Sequence, residues 1–155
     1  MAKRKMVKTE LDNQIAELTA KTDHKTLAVW ACDCVERVLP YFEKPYPEDE
    51  RPRLAIQAAR QWIITGVFSM AQIRKAALAA HKAASEVQDN DAARSAARAA
   101  GQAVATAHVA SHAIPAAVYA ASAVRDGTEN SDVDADVMKE REWQYRHLLE
   151  LNRCP

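Results

Sequence analysis

Apolar residues recur along this chain at intervals of three and four, the spacing of one helix face. Nowhere do they keep the strict two-residue rhythm of a strand bounded by turn residues. Leu11, Ile15 and Leu18 open the pattern and predict a first helix over 9–21, capped by Thr9. A second, starting at Asp23, sets Leu27, Trp30, Ala31, Cys34, Val35, Val38 and Phe42 on one side and Asp33, Glu36 and Arg37 on the other. Asp33 and Arg37, one turn apart, are expected to pair. Pro40 should kink or end that helix, and EKPYPEDERP reads as a connection or as the first turn of a third helix. The third spans 49–65, buries Ala55, Ala58, Ala59, Trp62 and Ile63, and stops at Gly66.

The best local signal follows. Ser69-Met70-Ala71-Gln72 has capping-box form, with Phe68 and Ile73 as the hydrophobic staple, and predicts a fourth helix to about Val87. Asp89 or Asn90 then caps a fifth helix of strong helix formers. Pro115 lacks the amide that would bond the carbonyl of Ser111, so a kink or break is expected there. A sixth segment continues to about Val124. After the acidic loop RDGTENSDVDAD, Ser131 or Asp132 caps a last helix to Leu151, with Val137, Met138, Arg141, Tyr145, Leu148 and Leu149 facing inward and the Glu142–Arg146 pair outward. The expectation is an all-α, compact bundle of six to seven helices with one proline-kinked helix near Pro115. A basic N-terminus over 1–8 and a tail over 152–155 flank a single helical domain over 9–151.

A chain of 155 residues can bury a core without metal or disulfide staples. Its 21 basic residues balance 21 acidic ones, which argues against a nucleic-acid or membrane footprint built on bulk charge. Lys3, Arg4, Lys5 and Lys8 make only a short basic start, read as a solvated terminus. No apolar run approaches the ~20 residues that span a bilayer, and MAKRKMVKTE leads into no apolar stretch or cleavage site, so a cytoplasmic address is expected. Cys32 and Cys34 diverge by roughly 200° on a helix, so they neither grip one ion nor bridge each other and are expected to be buried, reduced thiols. Cys154 reads as an exposed free thiol, which suits a reducing compartment.

Between Ala71 and Ala123 alanine supplies close to half the residues, which lets helix backbones approach near the short end of the ~8–10 Å range. Polar residues then become the guide. At about 100° per residue, Arg94, Arg98, Gly101, Ala105, His108 and His112 fall in a strip about 80° wide. Three readings stand open. The strip is a helix seam where Gly101 and Ala105 admit a neighbouring backbone and each imidazole bonds a carbonyl or carboxylate. Or it lines a groove where cations and imidazoles meet an acidic partner. Or His108 and His112 chelate a metal, with His81, Asp33 or Glu36 completing the set. Arg51, Arg53 and Arg60 gather around the proline-started helix with Trp62, as a solvated face or as a carboxylate-binding group. AALAAHKAAS and AVATAHVASH match at a 27-residue offset, which hints at a repeat but also follows from alanine content. No phosphate loop and no nucleophile with a recognisable base is present, so no catalytic residue and no cofactor is assigned.

The run WACDCVERVLPYFEKPYPEDERPRLAIQAARQWIITG, followed by AAGQAVATAHVASHA, resembles a bacterial family of small helical proteins, the putative immunity proteins of the immunity-five-like type. Trp30, Arg37, Leu39, Pro40, Phe42-Glu43, Asp49, Arg51-Pro52-Arg53, Trp62, Gly101, Thr106-Ala107-His108 and His112 carry the resemblance, over roughly 23–125. It implies an all-helical domain that neutralises a toxin of the same or a neighbouring cell, without a cofactor. The expected protein-partner contacts are Asp49, Arg51, Arg53, Arg60, Arg94 and Arg98, and the expected polar seam or pocket is Asp33, Arg37, His81, His108 and His112. Two rival expectations are a metal-binding or enzymatic bundle built round His81, His108 and His112, and a structural oligomer, a homodimer for instance, paired through small-residue faces.

Overall fold

The computed structural model describes residues 8–153, and within them the chain forms eight α-helices and no strand. In order these are α1 (Glu10–Ala20), α2 (His24–Glu36), α3 (Pro40–Glu43), α4 (Arg51–Thr65), α5 (Met70–Glu86), α6 (Asp91–Ala105), α7 (Ala113–Gly127) and α8 (Val133–Arg153), with a 3-10 turn, Ala110–His112, before α7. Polar side chains set the boundaries. Asp23 accepts from the Thr26 amide at 2.8 Å, Ser69 from Gln72 at 3.3 Å, Asn90 from Ala93 at 3.0 Å and Asp132 from Ala135 at 3.0 Å. Asp12 accepts from the Thr9 amide at 2.7 Å. Gly66 ends α4 with φ of 70°, a conformation that costs a residue without a Cβ nothing.

The all-α expectation holds, with slightly more helices than the six to seven expected. The addition is α3. Pro40 opens this four-residue helix at a position where a missing amide is harmless, after a turn that ends α2 at Glu36.

The expectation for Pro115 needs correction, since the break falls earlier. α6 stops at Ala105, Thr106 turns back on it, Val109 is extended, and α7 begins at Ala113. Pro115 therefore sits in the first turn of α7, where its missing amide has no helical carbonyl to bond. A continuous helix through Pro115 would instead leave the Ser111 carbonyl unbonded and set the proline ring against it. The strip running from Arg94 to His112 is cut by the same break. His108 lies in the connection and His112 in the 3-10 turn, whereas His81 is in the middle of α5. AALAAHKAAS and AVATAHVASH thus occupy different local structures, which removes the structural basis for a repeat.

Core packing follows from residue size. α6 buries ten residues, seven of them alanine, and touches α2, α3, α4, α5 and α7. Small side chains let five neighbours close on one helix. The large buried side chains sit on the other helices: Ile15 on α1, Trp30 on α2, Leu39 and Phe42 at α3, Ile56 on α4 and Leu148 on α8. A polar spine crosses the far side of the core. Trp30 Nε1 donates to the Gln144 carbonyl at 2.8 Å, Gln144 Nε2 donates to the Ala117 carbonyl at 2.9 Å, and Arg141 reaches both Gln144 Oε1 and Asp12 at 2.7 Å. Glu140 and Gln144, not expected inward, join Arg141 and Leu148 as the buried residues of α8. The expected inward residues Val137, Met138, Tyr145 and Leu149 are half-buried, and Glu142 and Arg146 are exposed.

Candidate functional site

Most of the charged residues singled out by sequence are tied to one another. Arg51 meets Asp49 at 2.7 Å and Glu86 at 2.6 Å, which holds the Asp49 carboxyl below its ordinary pKa. Arg53 makes a forked contact with Glu43, at 2.7 and 3.1 Å. Arg60 meets Asp33 at 2.7 Å and Glu36 at 3.2 Å. Asp33 does not pair with Arg37, because the helical turn leaves it facing α4 and α8, where His147 Nε2 lies 2.7 Å away. Arg37 instead grips Glu140 with two bonds, at 2.9 and 3.0 Å, and lies 3.9 Å over the ring of Trp143, which stacks on His147 at 4.7 Å. The result is a self-neutralised ladder joining α2, α4 and α8. Forked geometry and sharing of carboxylates give it more value than isolated surface pairs.

A polar cleft of about 420 Å³ borders this ladder, lined by Arg37, Tyr41, Asp136, Lys139 and Glu140 among others. Its carboxylates are already bonded. Asp136 accepts from both Thr128 and Asn130, and Glu140 from Arg37.

The imidazoles sit elsewhere. His81 projects from α5 against Gly101 of α6, where an added Cβ would stand 2.7 Å from its Nε2. Gly101 thus admits a side chain, not a backbone. Burial first, then the charge of Arg98 and the neighbouring His112, holds His81 below its ordinary pKa of 6.5. His112 Nδ1 lies 2.7 Å from Gln102 Oε1, and exposed His108 stacks on Phe68 with ring centroids 6.0 Å apart. His108 and His112 are not paired along a helix face, so the chelate geometry expected of them is lost with the break after α6. Among the described residues no group of three or more His, Cys, Asp or Glu is placed to hold a metal ion. His24, missed by sequence reasoning, anchors this break. Its Nε2 lies 2.6 Å from the Thr106 carbonyl while its ring tilts against Trp62 at 5.0 Å.

His108 also borders an apolar cleft of about 300 Å³ between α5 and the end of α6, lined by Met70, Ile73, Arg74, Ala77 and Ala105. Exposed apolar side chains cluster in sequence around it: Ile64, Val67, Phe68 and Met70 at the α4–α5 connection, Leu78 on α5, and Val109 and Ile114 at the α6–α7 connection. Such exposure marks contact surfaces. Arg94 is held by Asp91 and by the Val87 carbonyl, while Arg74 and Arg98 make no ion pair among the described residues. Sequence reasoning named Arg98 and missed Arg74 and Leu78. A usable signal was present: between 51 and 125 only Glu86, Asp89 and Asp91 are acidic, against nine Lys and Arg. The zero formal charge of the whole chain hides this segregation.

Cys32 and Cys34 are buried and unbridged, as expected, and burial pushes the Cys32 thiol up to about 12 and Cys34 well above its ordinary value. Lys3, Arg4, Lys5 and Cys154 lie outside the described residues. Among the described residues no helix is long and apolar enough to cross a membrane. No curated protein and no protein of solved structure matches the chain. The sequence model of the family described as Imm-5 like putative immunity protein matches residues 6–151, nearly the whole length of this all-helical chain, and the chain belongs to that family.

Proposed function

We propose that the chain acts by contact, docking on a toxin and blocking it. Family membership over 6–151 carries this reading. Two features of the molecule support it. The alanine-packed frame around α6 is rigid by construction, since close-packed interiors deform little, and a rigid surface loses less entropy on docking. Away from the self-neutralised ladder, α5 exposes Leu78 beside Arg74, and neither Arg74 nor Arg98 of α6 has an ion pair among the described residues.

The test is co-expression in a bacterial host of each toxin-like gene encoded beside this one, with and without the chain. Rescue of growth, together with a stoichiometric complex on size exclusion, is the expected result. Toxicity unchanged by the chain for every neighbouring gene would overturn the reading.

A further inference from the structure

We infer that the cleft between α5 and the end of α6 receives an acidic, amphipathic segment of the partner, its apolar side chains entering the cleft and its carboxylates meeting Arg74 and Arg98. This rests on the contact reading above and names the chemistry of the surface recognised.

Three observations converge. The cleft has an apolar floor of Ile73, Ala77 and Ala105 and a rim of Met70, Arg74 and His108, the aromatic, methionine and arginine character that interface centres favour. Leu78 lies one turn beyond Arg74 on α5 and is 61% exposed, which extends the apolar stripe. The surrounding chain contains no Asp or Glu from 51 to 85 or from 92 to 125. Arg51, Arg53, Arg60 and Arg94 are neutralised by carboxylates within reach, and Arg125 pairs with Asp126. Arg74, exposed on the rim of the cleft, and Arg98, half-buried near His81, are therefore left without a carboxylate partner among the described residues, as are exposed Lys75 and Lys82 of α5.

Complementarity selects the occupant. A second copy docked through this face about a two-fold axis would set the same cationic patch on both sides of the interface, with no carboxylate from either copy to offset it, and like charges in a desolvated interface are repelled. A nucleic-acid strand would meet a few unpaired cations, Arg74 and Arg98 with Lys75 and Lys82 of α5, but also an apolar floor that makes no bond to phosphate. A helix with apolar side chains on one face and glutamates on its flanks satisfies both the floor and the rim.

The test uses the full chain and two fluorescein-labelled synthetic helical peptides that share one Leu/Phe stripe, one flanked by glutamate and the other by lysine. Fluorescence anisotropy should show the glutamate peptide binding about tenfold or more tighter, with affinity falling as salt rises. Amide shifts in NMR should centre on Phe68, Met70, Arg74, Ala105 and His108. The double variant Arg74→Glu with Arg98→Glu should reverse the preference, and Leu78→Ser should weaken both peptides. Arg153→Glu, on the exposed end of α8, should change nothing. Arg74 and Leu78 are exposed and Arg98 is half-buried without an ion pair, so circular dichroism is used to verify that each variant keeps its fold before binding is compared.

Equal binding of the two peptides, indifference to the double charge reversal, equal binding of a short oligothymidylate, or a dimer in sedimentation that Leu78→Ser dissolves would each overturn the inference. Growth rescue with no peptide discrimination would sink this docking chemistry and leave the contact reading standing. Peptide discrimination without growth rescue would do the reverse.

Discussion

Replacing Gly101 with alanine adds one methyl group to a space the His81 ring already fills. The new Cβ would stand 2.7, 2.8 and 2.9 Å from Nε2, Cε1 and Cδ2 of that ring. Carbon contacts rest at about 3.5–4.0 Å, so the imidazole must retreat by roughly 0.8 Å or rotate out of the seam. Overpacking of this kind costs about 1–3 kcal/mol, while alanine in place of glycine inside a helix returns about 1 kcal/mol. The net expectation is a loss of about 0–2 kcal/mol. The sharper expectation is in the cycle with His81→Ala. With the ring gone nothing opposes the methyl group, so Gly101→Ala should then stabilise by about 0.5–1 kcal/mol. Urea denaturation of the four proteins measures the coupling, and NMR titration should show the His81 pKa rising toward 6.5 as the ring is expelled in the single variant. If Gly101→Ala changes stability equally in both backgrounds, the ring does not occupy that space and the account of the seam is wrong.

Three further outcomes follow from the ladder, the thiols and the seam. Arg37→Met strands Glu140, whose side chain is 8% exposed, without its partner; Arg37 is 41% exposed, so solvent screening reduces the loss to about 1–2 kcal/mol, measured by urea denaturation. Iodoacetamide at pH 8, with peptide mapping, should leave Cys32 and Cys34 unmodified in the folded protein and label both once it is unfolded, because burial keeps each thiol protonated. His81 takes up a proton more readily in the unfolded chain, since its folded pKa is depressed. Its contribution to stability is therefore full above pH 6.5 and declines as pH falls from there toward the lowered folded value, and His81→Gln should flatten that part of the profile.

Helix boundaries were legible in the sequence because each is set by a neighbour in the chain. Asp23, Ser69, Asn90 and Asp132 cap the helices they precede, and Gly66 closes α4. The break after Ala105 was not legible for the converse reason. Thr106 and His108 are ordinary residues for a helix, and what holds the chain open there is His24, 82 positions away, bonded to the Thr106 carbonyl. The pairing of Asp33 failed in the same way. A helical spacing offers Arg37 as the near cation, but α4 and α8 bring Arg60 and His147 to the same carboxylate. Gln144 and Glu140 are polar residues whose burial relies on the Ala117 carbonyl of α7 and on Arg37 of α2, and a one-dimensional pattern assigns them to solvent.

The exposed apolar residues of α5 follow from the packing of α6 only in part. A helix with five others packed at alanine distance leaves little room for leucine, so the buried positions of α5 are mostly small: Ala80, Ala83 and Ala84, with Ile73 the large buried side chain near its start. That explains why Leu78 is not inside; it does not explain why position 78 is leucine. An outward position on a helix is served as well by glutamine, which has nearly equal helix propensity and no cost of exposed apolar area. Leu78→Gln should therefore leave stability within about 0.5 kcal/mol of the parent by urea denaturation, the range of surface changes remote from any structural contact. A loss above about 1 kcal/mol would mean that Leu78 packs against the fold and is not held out for a partner. Retained stability, combined with weakened capture of the glutamate-flanked peptide, would separate the two roles a hydrophobic side chain can have and assign this one to recognition.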